Sequence, residues 1–269
     1  MDARKTRRGI GTATVSAMAI SVFALTIAAT HLASGHDAAG MPVGTVAVWD
    51  ETTNDGTIRI AGFDLPLAMV EALDPTDTSA PPMTIMALER FSDEVRDSTS
   101  IDHVSVDWGP FGHPPARFSV PHFDIHFYFD DPETIAAIDC TDATMPDAAI
   151  VPAGYVLPPL DDPHACVPAM GYHAAALDEI QSENPFDATM ILGYYGGQYI
   201  FLEPMVTLEH LLARESFVLD VPPVADGTEA GQPTAVRFAY READDSYRVS
   251  LIGFGEHGLA TTARMRVAQ

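Results

Sequence analysis

Beyond Lys5 the 269-residue chain has no lysine. Its remaining positive charge is arginine alone, set against 25 Asp and 13 Glu. The formal charge is −24; the first 35 residues hold four basic groups and one acidic, so residues 36–269 carry −27. A field of that sign repels phosphate backbones and excludes nucleic acid as a natural partner. Extreme acidity with loss of lysine points to a halophilic protein, since salt shortens the repulsion between surface carboxylates. It also devalues single acidic residues as clues. A lone Asp here reads as a solvated surface charge unless its neighbours say otherwise.

Cysteine is nearly as scarce. Cys140 and Cys166 are too few for a structural zinc cluster. In an exported chain they are free to pair, and a disulfide would staple the Pro-rich segment between them. Loop entropy puts that staple at about 3–4 kcal/mol; the alternative is two thiols. No P-loop, dinucleotide fingerprint or Ser-His-Asp set with a nucleophile elbow occurs in the sequence. Nor does any internal repeat or low-complexity linker. After residue 35 no stretch is apolar enough to cross a bilayer as a helix.

The long apolar run lies at the start. Arg4, Lys5, Arg7 and Arg8 precede an uncharged segment from Ile10 to Leu32, and small residues around "LASG" offer a cleavage site. Residues 1–35 therefore read as a signal peptide. An uncleaved N-terminal anchor is the rival, because a bilayer needs roughly 20 apolar residues. "TRRGIG" resembles a twin-arginine signal weakly, and no cysteine follows the apolar core to take a bacterial-type lipid. The reading is an exported protein, secreted or at the cell surface, that touches membrane only through residues 1–35. Residues 36–269 are left as a single β-rich domain.

Short alternating stretches fill that domain. Strands are expected at 44–51, 56–63, 83–91 and 102–108. "ARFSV" (116–120) and "HFDIHFYF" (122–129) form a strand pair, or one strand bent at Pro121. "ATMILGYYGGQYIFLEPM" is the clearest hairpin, with Gly196-Gly197 as its two-residue turn. "SFVLDV" and a second hairpin, "TAVRFAYREADDSYRVSLIGF", follow. Short helices are expected at 64–73, 132–138 and 207–213, with loop through 141–168. The pattern predicts a mainly β fold, a barrel or sandwich of short, mostly antiparallel strands with a few short helices.

Chemistry concentrates in "PHFDIHFYF" (121–129). A period of two puts Phe123, Ile125, Phe127 and Phe129 on one face, and His122, Asp124, His126 and Tyr128 on the other. Four strand residues span roughly 13 Å, too far for His122 and His126 to share an ion unless a bulge intervenes. Asp124 lies within chelating reach of either histidine. The plain alternative is a solvent-facing polar row. His113 sits in the Gly/Pro loop "DWGPFGHPP", His173 in "VPAMGYH" and Glu203 in "YIFLEPM". The expectation is that His122, Asp124, His126, His173 and Glu203 converge in one cavity, with His113 at its rim. His210 is expected on a helix face, and His103, His164 and His257 on the surface.

Three blocks, "VDWGPFGHPPARFSVPHFDIHFYF", "VPAMGYH" and "YIFLEPMVT", carry a resemblance. They resemble a domain family of exported prokaryotic proteins, typified by a sigma-E-regulated protein of a thermophilic bacterium, in which the same blocks recur in the same order. The resemblance spans roughly residues 100–207. It implies an exported β-rich domain, leaves a homo-oligomer open and assigns no reaction. "WGPFGH" departs from the family, where a polar residue often follows the tryptophan, as does "HAAALDE" after His173.

Histidines with a carboxylate suit a transition metal ion, zinc, copper or iron, better than calcium or magnesium, which want oxygen ligands. With an open coordination position such an ion activates water or dioxygen. A cupin-like centre is a second version, although cupins usually use a His-x-His pair that this chain lacks. Two other functions compete: a non-catalytic envelope or assembly protein whose histidines form an internal hydrogen-bond network, and a small-ligand binding module with an aromatic pocket.

Overall fold

A computed structural model describes residues 35–36, 42–43, 46–53, 56–159, 161–162, 165–225 and 231–255. Gly35 apart, the expected signal or anchor lies outside them, as do His164 and His257. The elements below all belong to one unit, Leu32–Gln269.

Two antiparallel sheets make the fold. The larger runs β5 (Thr84–Arg90), β6 (His103–Gly109), β7 (His122–Tyr128), β12 (Gln198–Thr207), β11 (Ala188–Tyr195) and β10 (Gly171–Ala176). On its far edge β10 pairs with two-residue strands, β8 (Tyr155–Val156) and β9 (Cys166–Val167). The smaller sheet runs β13 (Phe217–Asp220), β14 (Ala235–Arg241), β15 (Ser246–Ile252), β4 (Ile58–Pro66) and β3 (Ala47–Thr52). A short pair, β1 (Gly35–His36) with β2 (Pro42–Val43), precedes them. Five short helices connect strands: α1 (Leu67–Glu71), α2 (Asp93–Ser98), α3 (Pro132–Ala136), α4 (Leu177–Gln181) and α5 (Leu208–Leu212). Among the described residues neither sheet closes on itself, so the architecture is a sandwich.

The core lies between the sheets. Phe63, Leu65, Phe238, Tyr247 and Val249 of the smaller sheet meet Val104, Val106, Phe123, Ile125 and Phe127 of the larger, all at most 1% exposed. Phe63 and Phe127 touch across the gap, ring centroids 6.0 Å apart. Each such side chain contributes about 1.5–3 kcal/mol by leaving water. Strand alternation then sends the even-numbered residues of β7 to the far side of the larger sheet. The β11–β12 hairpin turns at Gly196 and Gly197, whose φ angles of 55° and 76° suit a two-residue turn.

Several elements differ from the sequence expectation. "ARFSV" is no strand: Ala116–Phe118 is a single 3-10 turn after Pro115, closed by Phe118 N–H donating to the Pro115 carbonyl. The helix expected from Asp64 begins at Leu67, because Asp64 and Leu65 still pair with Arg248 and Tyr247 of β15. The 141–168 loop contains β8 and β9, and α2, β10 and α4 appear where no element was expected. Cys140 and Cys166 form a disulfide, Cα atoms 5.8 Å apart, across a separation of 26 residues.

Candidate metal centre

The polar face of β7 does not look at solvent. His122, Asp124 and His126 are at most 1% exposed. Residues of the loop after β6, from His113 to Phe118, and of the stretch around the disulfide, including Val156, Leu157, Ala165 and Met170, cover that side of the larger sheet. Beneath them lies a cavity of about 420 Å³. Its floor holds Asp124, His126, His173 and Glu203, its rim His113, and its walls include Met83, Phe118, Leu157 and Met170.

The six residues divide into two groups of three, each able to hold a metal ion. His126, His173 and Glu203 bring one ligand atom each to within 4.8 Å of the others, and His113, His122 and Asp124 do the same. In the first group the Nε2 atoms of His126 and His173 both lie 3.7 Å from Glu203 Oε2. In the second, His122 Nε2 is 3.0 Å from Asp124 Oδ1, and His113 Nε2 is 3.6 Å from Asp124 Oδ2. Strand rise separates the groups, since His122 and His126 stand four residues apart on one strand. Asp124 joins them, its carboxyl within hydrogen-bonding reach of that of Glu203. Asp124, His126, His173 and Glu203 line one cavity with His113, whereas His122 is not among its lining residues and belongs to the second group. His113 is a full member of that second group, its side chain 32% exposed.

Sheet register brings these residues together. Ser105 and Asp107 of β6 stand opposite His126 and Asp124, and Met205 of β12 flanks Asp124 on the other side. Glu203 pairs with Ile191 of β11, and His173 of β10 pairs with Gly193. Gly193 is the gap through which the site closes. A Cβ there would come 1.9 Å from the Phe201 ring, so that ring lies flat over the glycine. It packs edge-on against His126 at 4.9 Å and His173 at 5.1 Å, while Tyr128 stacks on His126 at 5.2 Å. Both imidazoles are thereby held by packing.

Hydrogen bonds set which ring nitrogen faces inward. His122 Nδ1 donates to the Val120 carbonyl at 2.7 Å and His113 Nδ1 to the Pro114 carbonyl at 2.9 Å. His173 bonds the Gly171 backbone. His126 Nδ1 meets Asp107 Oδ2 at 2.9 Å, and the Ser105 hydroxyl donates to both oxygens of Asp107. A ring whose Nδ1 carries the proton presents Nε2 as a lone pair. Four inward atoms, His122 Nε2, Asp124 Oδ1, His126 Nε2 and Glu203 Oε2, are fully buried and make no well-aligned hydrogen bond, although the first two face each other at 3.0 Å. Each such orphan costs about 1–3 kcal/mol. Two metal bonds of about 2.0–2.1 Å at a tetrahedral angle would set ligand atoms about 3.3 Å apart. The spacings of 3.0–3.7 Å straddle that value.

No family model, curated protein or solved structure matches the chain. What the site can hold is therefore read from its own atoms. Metal-bound histidines characteristically pass their second ring proton to a carboxylate or carbonyl, which orients the ring and raises its basicity. His113, His122 and His126 do so here. Two imidazoles with one carboxylate in each group could bind a metal ion.

Protonation shows how the bare chain copes. Burial, with repulsion from Asp124 and Asp107, raises Glu203 well above the carboxylate range. Burial opposes charge on Asp124 too, but the facing rings of His113 and His122 outweigh it and lower its pKa. Burial and the nearby His126 push His173 down to about 3. Burial disfavours charge on His113, yet the attraction of Asp124 prevails and raises it. The pocket tolerates one carboxylate beside a proton-sharing neighbour, which is the electrostatic demand a cation satisfies.

Asp107 escaped the sequence reading although it stands in the quoted "DWGPFGHPP" run. The alternation in "HVSVDWG" puts His103, Ser105 and Asp107 on one face, but it does not say whether that face is covered. His103 also corrects an expectation. It is buried at 1% exposure, stacked on Tyr128 at 4.9 Å, because that face of β6 is covered. His210 lies on α5 as expected, its ring 4.4 Å from Phe217.

Proposed function

We propose that this is an exported protein that binds a transition metal ion through His126, His173 and Glu203. The observation that carries the reading is the convergence of three ligand atoms from β7, β10 and β12, two of them buried without partners and each ring fixed from behind. Zinc, copper or iron is the ion class, and the cavity above leaves room beside it for water or a small molecule. Its largely apolar walls support a second reading of the cavity as a binding site for a small apolar ligand. The disulfide and the absence, among the described residues, of a helix able to span a membrane are compatible with an extracellular protein. The three blocks that resemble the exported family carry all six candidate ligands: His113, His122, Asp124 and His126 in the first, His173 in the second, Glu203 in the third.

Metal analysis of protein purified at high salt tests this. The expectation is bound zinc, copper or iron that a chelator strips and that the His173→Ala variant retains less of, with unchanged far-ultraviolet dichroism. A chain that takes up none of the three metals from micromolar solution has its histidines in a hydrogen-bond network instead, as in a non-catalytic envelope or assembly protein.

A further inference from the structure

The second group, His113, His122 and Asp124, adjoins the first but is not needed to complete it. From its geometry we infer that the centre holds two metal ions, one per group, with Asp124 and Glu203 meeting between them. This rests on the reading of His126, His173 and Glu203 as a metal site and adds an independent one beside it.

Three observations carry it. The second group has its own ligand-like spacing, with His122 Nε2 and Asp124 Oδ1 facing each other at 3.0 Å and His113 Nε2 at 3.6 Å from the other oxygen. His122 Nε2 and Asp124 Oδ1 are fully buried orphans, and the Nδ1 bond to Val120 leaves that Nε2 as a lone pair. Two electron-pair donors so placed need a proton or a metal ion between them, and the third ligand, His113, makes the set one that fits a metal. Neither atom is explained by an ion in the first group.

Charge balance points the same way. Asp107, Asp124 and Glu203 are three carboxylates at 1% exposure in one connected cluster. Among the described residues no arginine pairs with them, and the groups that face them are the histidine rings and one another. Ions held by both groups would supply the positive charge that so many buried carboxylates call for.

The experiment is a stoichiometry. Full-length protein at molar salt is stripped with chelator, loaded with zinc, desalted and measured for zinc per chain. Wild type should hold two zinc ions, and His122→Ala and His173→Ala one each. His113→Ala, on the partly exposed loop, is the second variant should His122→Ala fail to fold, and it too should lose one ion. Copper(II) loading gives an independent readout: two neighbouring ions couple magnetically, and each single-site variant should show an uncoupled resonance. Wild type with one zinc that His122→Ala and His113→Ala both retain overturns the second site while leaving the first intact. Wild type with no zinc overturns both.

Discussion

The two faces of β7 are buried to the same degree and held in opposite ways. Phe123, Ile125 and Phe127 enter the gap between the sheets, where any well-shaped apolar neighbour satisfies them. His122, Asp124 and His126 enter a covered space on the other side, where each polar atom needs a particular partner at a particular distance. Stability should therefore reside in the phenylalanine face and metal binding in the histidine face. Substitutions on one should spare the property carried by the other.

The largest effect expected is on the apolar face. Phe127→Ala should lower unfolding free energy by about 3–5 kcal/mol, read by urea denaturation of metal-free protein. A loss under 1 kcal/mol would mean that the sheets do not pack as described.

Next comes the staple over the polar face. Replacing Cys140 and Cys166 by alanine should cost about 3–4 kcal/mol. It should also weaken zinc binding, because the segment roofing the cavity loses its closure. Unchanged zinc affinity would show that the roof plays no part in the site.

Behind the site, Asp107→Ala should reduce metal affinity about 10–100-fold. It removes the group that orients His126 without removing a ligand, so zinc stoichiometry at saturation should stay as in wild type. A stoichiometry that falls would place Asp107 among the ligands.

A smaller effect separates the faces by pH. In the metal-free fold His173 stays neutral down to about 3, whereas in the unfolded chain it titrates near 6.5. Between those values the unfolded state binds the additional proton, so this group's contribution to stability falls as pH drops through the window. His173→Gln should lose less stability than wild type on acidification from 6.5 towards 3. Parallel profiles would contradict the burial of His173.

The smallest effect on the site should come from salt. Repulsion among the surface charges reaches roughly 30 Å at 0.01 M salt but only about 3 Å at 1 M. The melting temperature should fall at low salt while zinc per chain stays constant in whatever remains folded. Equal melting temperatures at low and molar salt would remove the halophilic reading of the composition.

Much of the fold was legible because alternation is a local property. The hairpin at Gly196-Gly197 and the strand at 122–128 follow from period and turn chemistry alone. β8, β9 and β10 were not legible, since "GYHAAA" has little alternation and two-residue strands exist only where β10 offers an edge. The start of α1 was misplaced for a related reason: Pro66 signals a helix start, but Asp64 and Leu65 answer to β15, which lies far along the chain. In the site, the residue types and the 122/124/126 face could be read from the strand. Asp107 and His103 could not be recognised as buried, because in so acidic a chain the same residues would ordinarily face water.

The sequence by itself determined the β-rich class, the sidedness of β7 and the strand spacing that keeps His122 and His126 apart. These depend on backbone geometry that each stretch carries with it. Only the tertiary structure decided that the histidine face is covered, that Asp107 stands behind His126, and that His173 reaches Glu203 across Gly193. Those outcomes depend on strand order and on loops folding back over the sheet. A polar face on a strand has the same sequence whether it meets water or a roof, and only long-range packing selects between them.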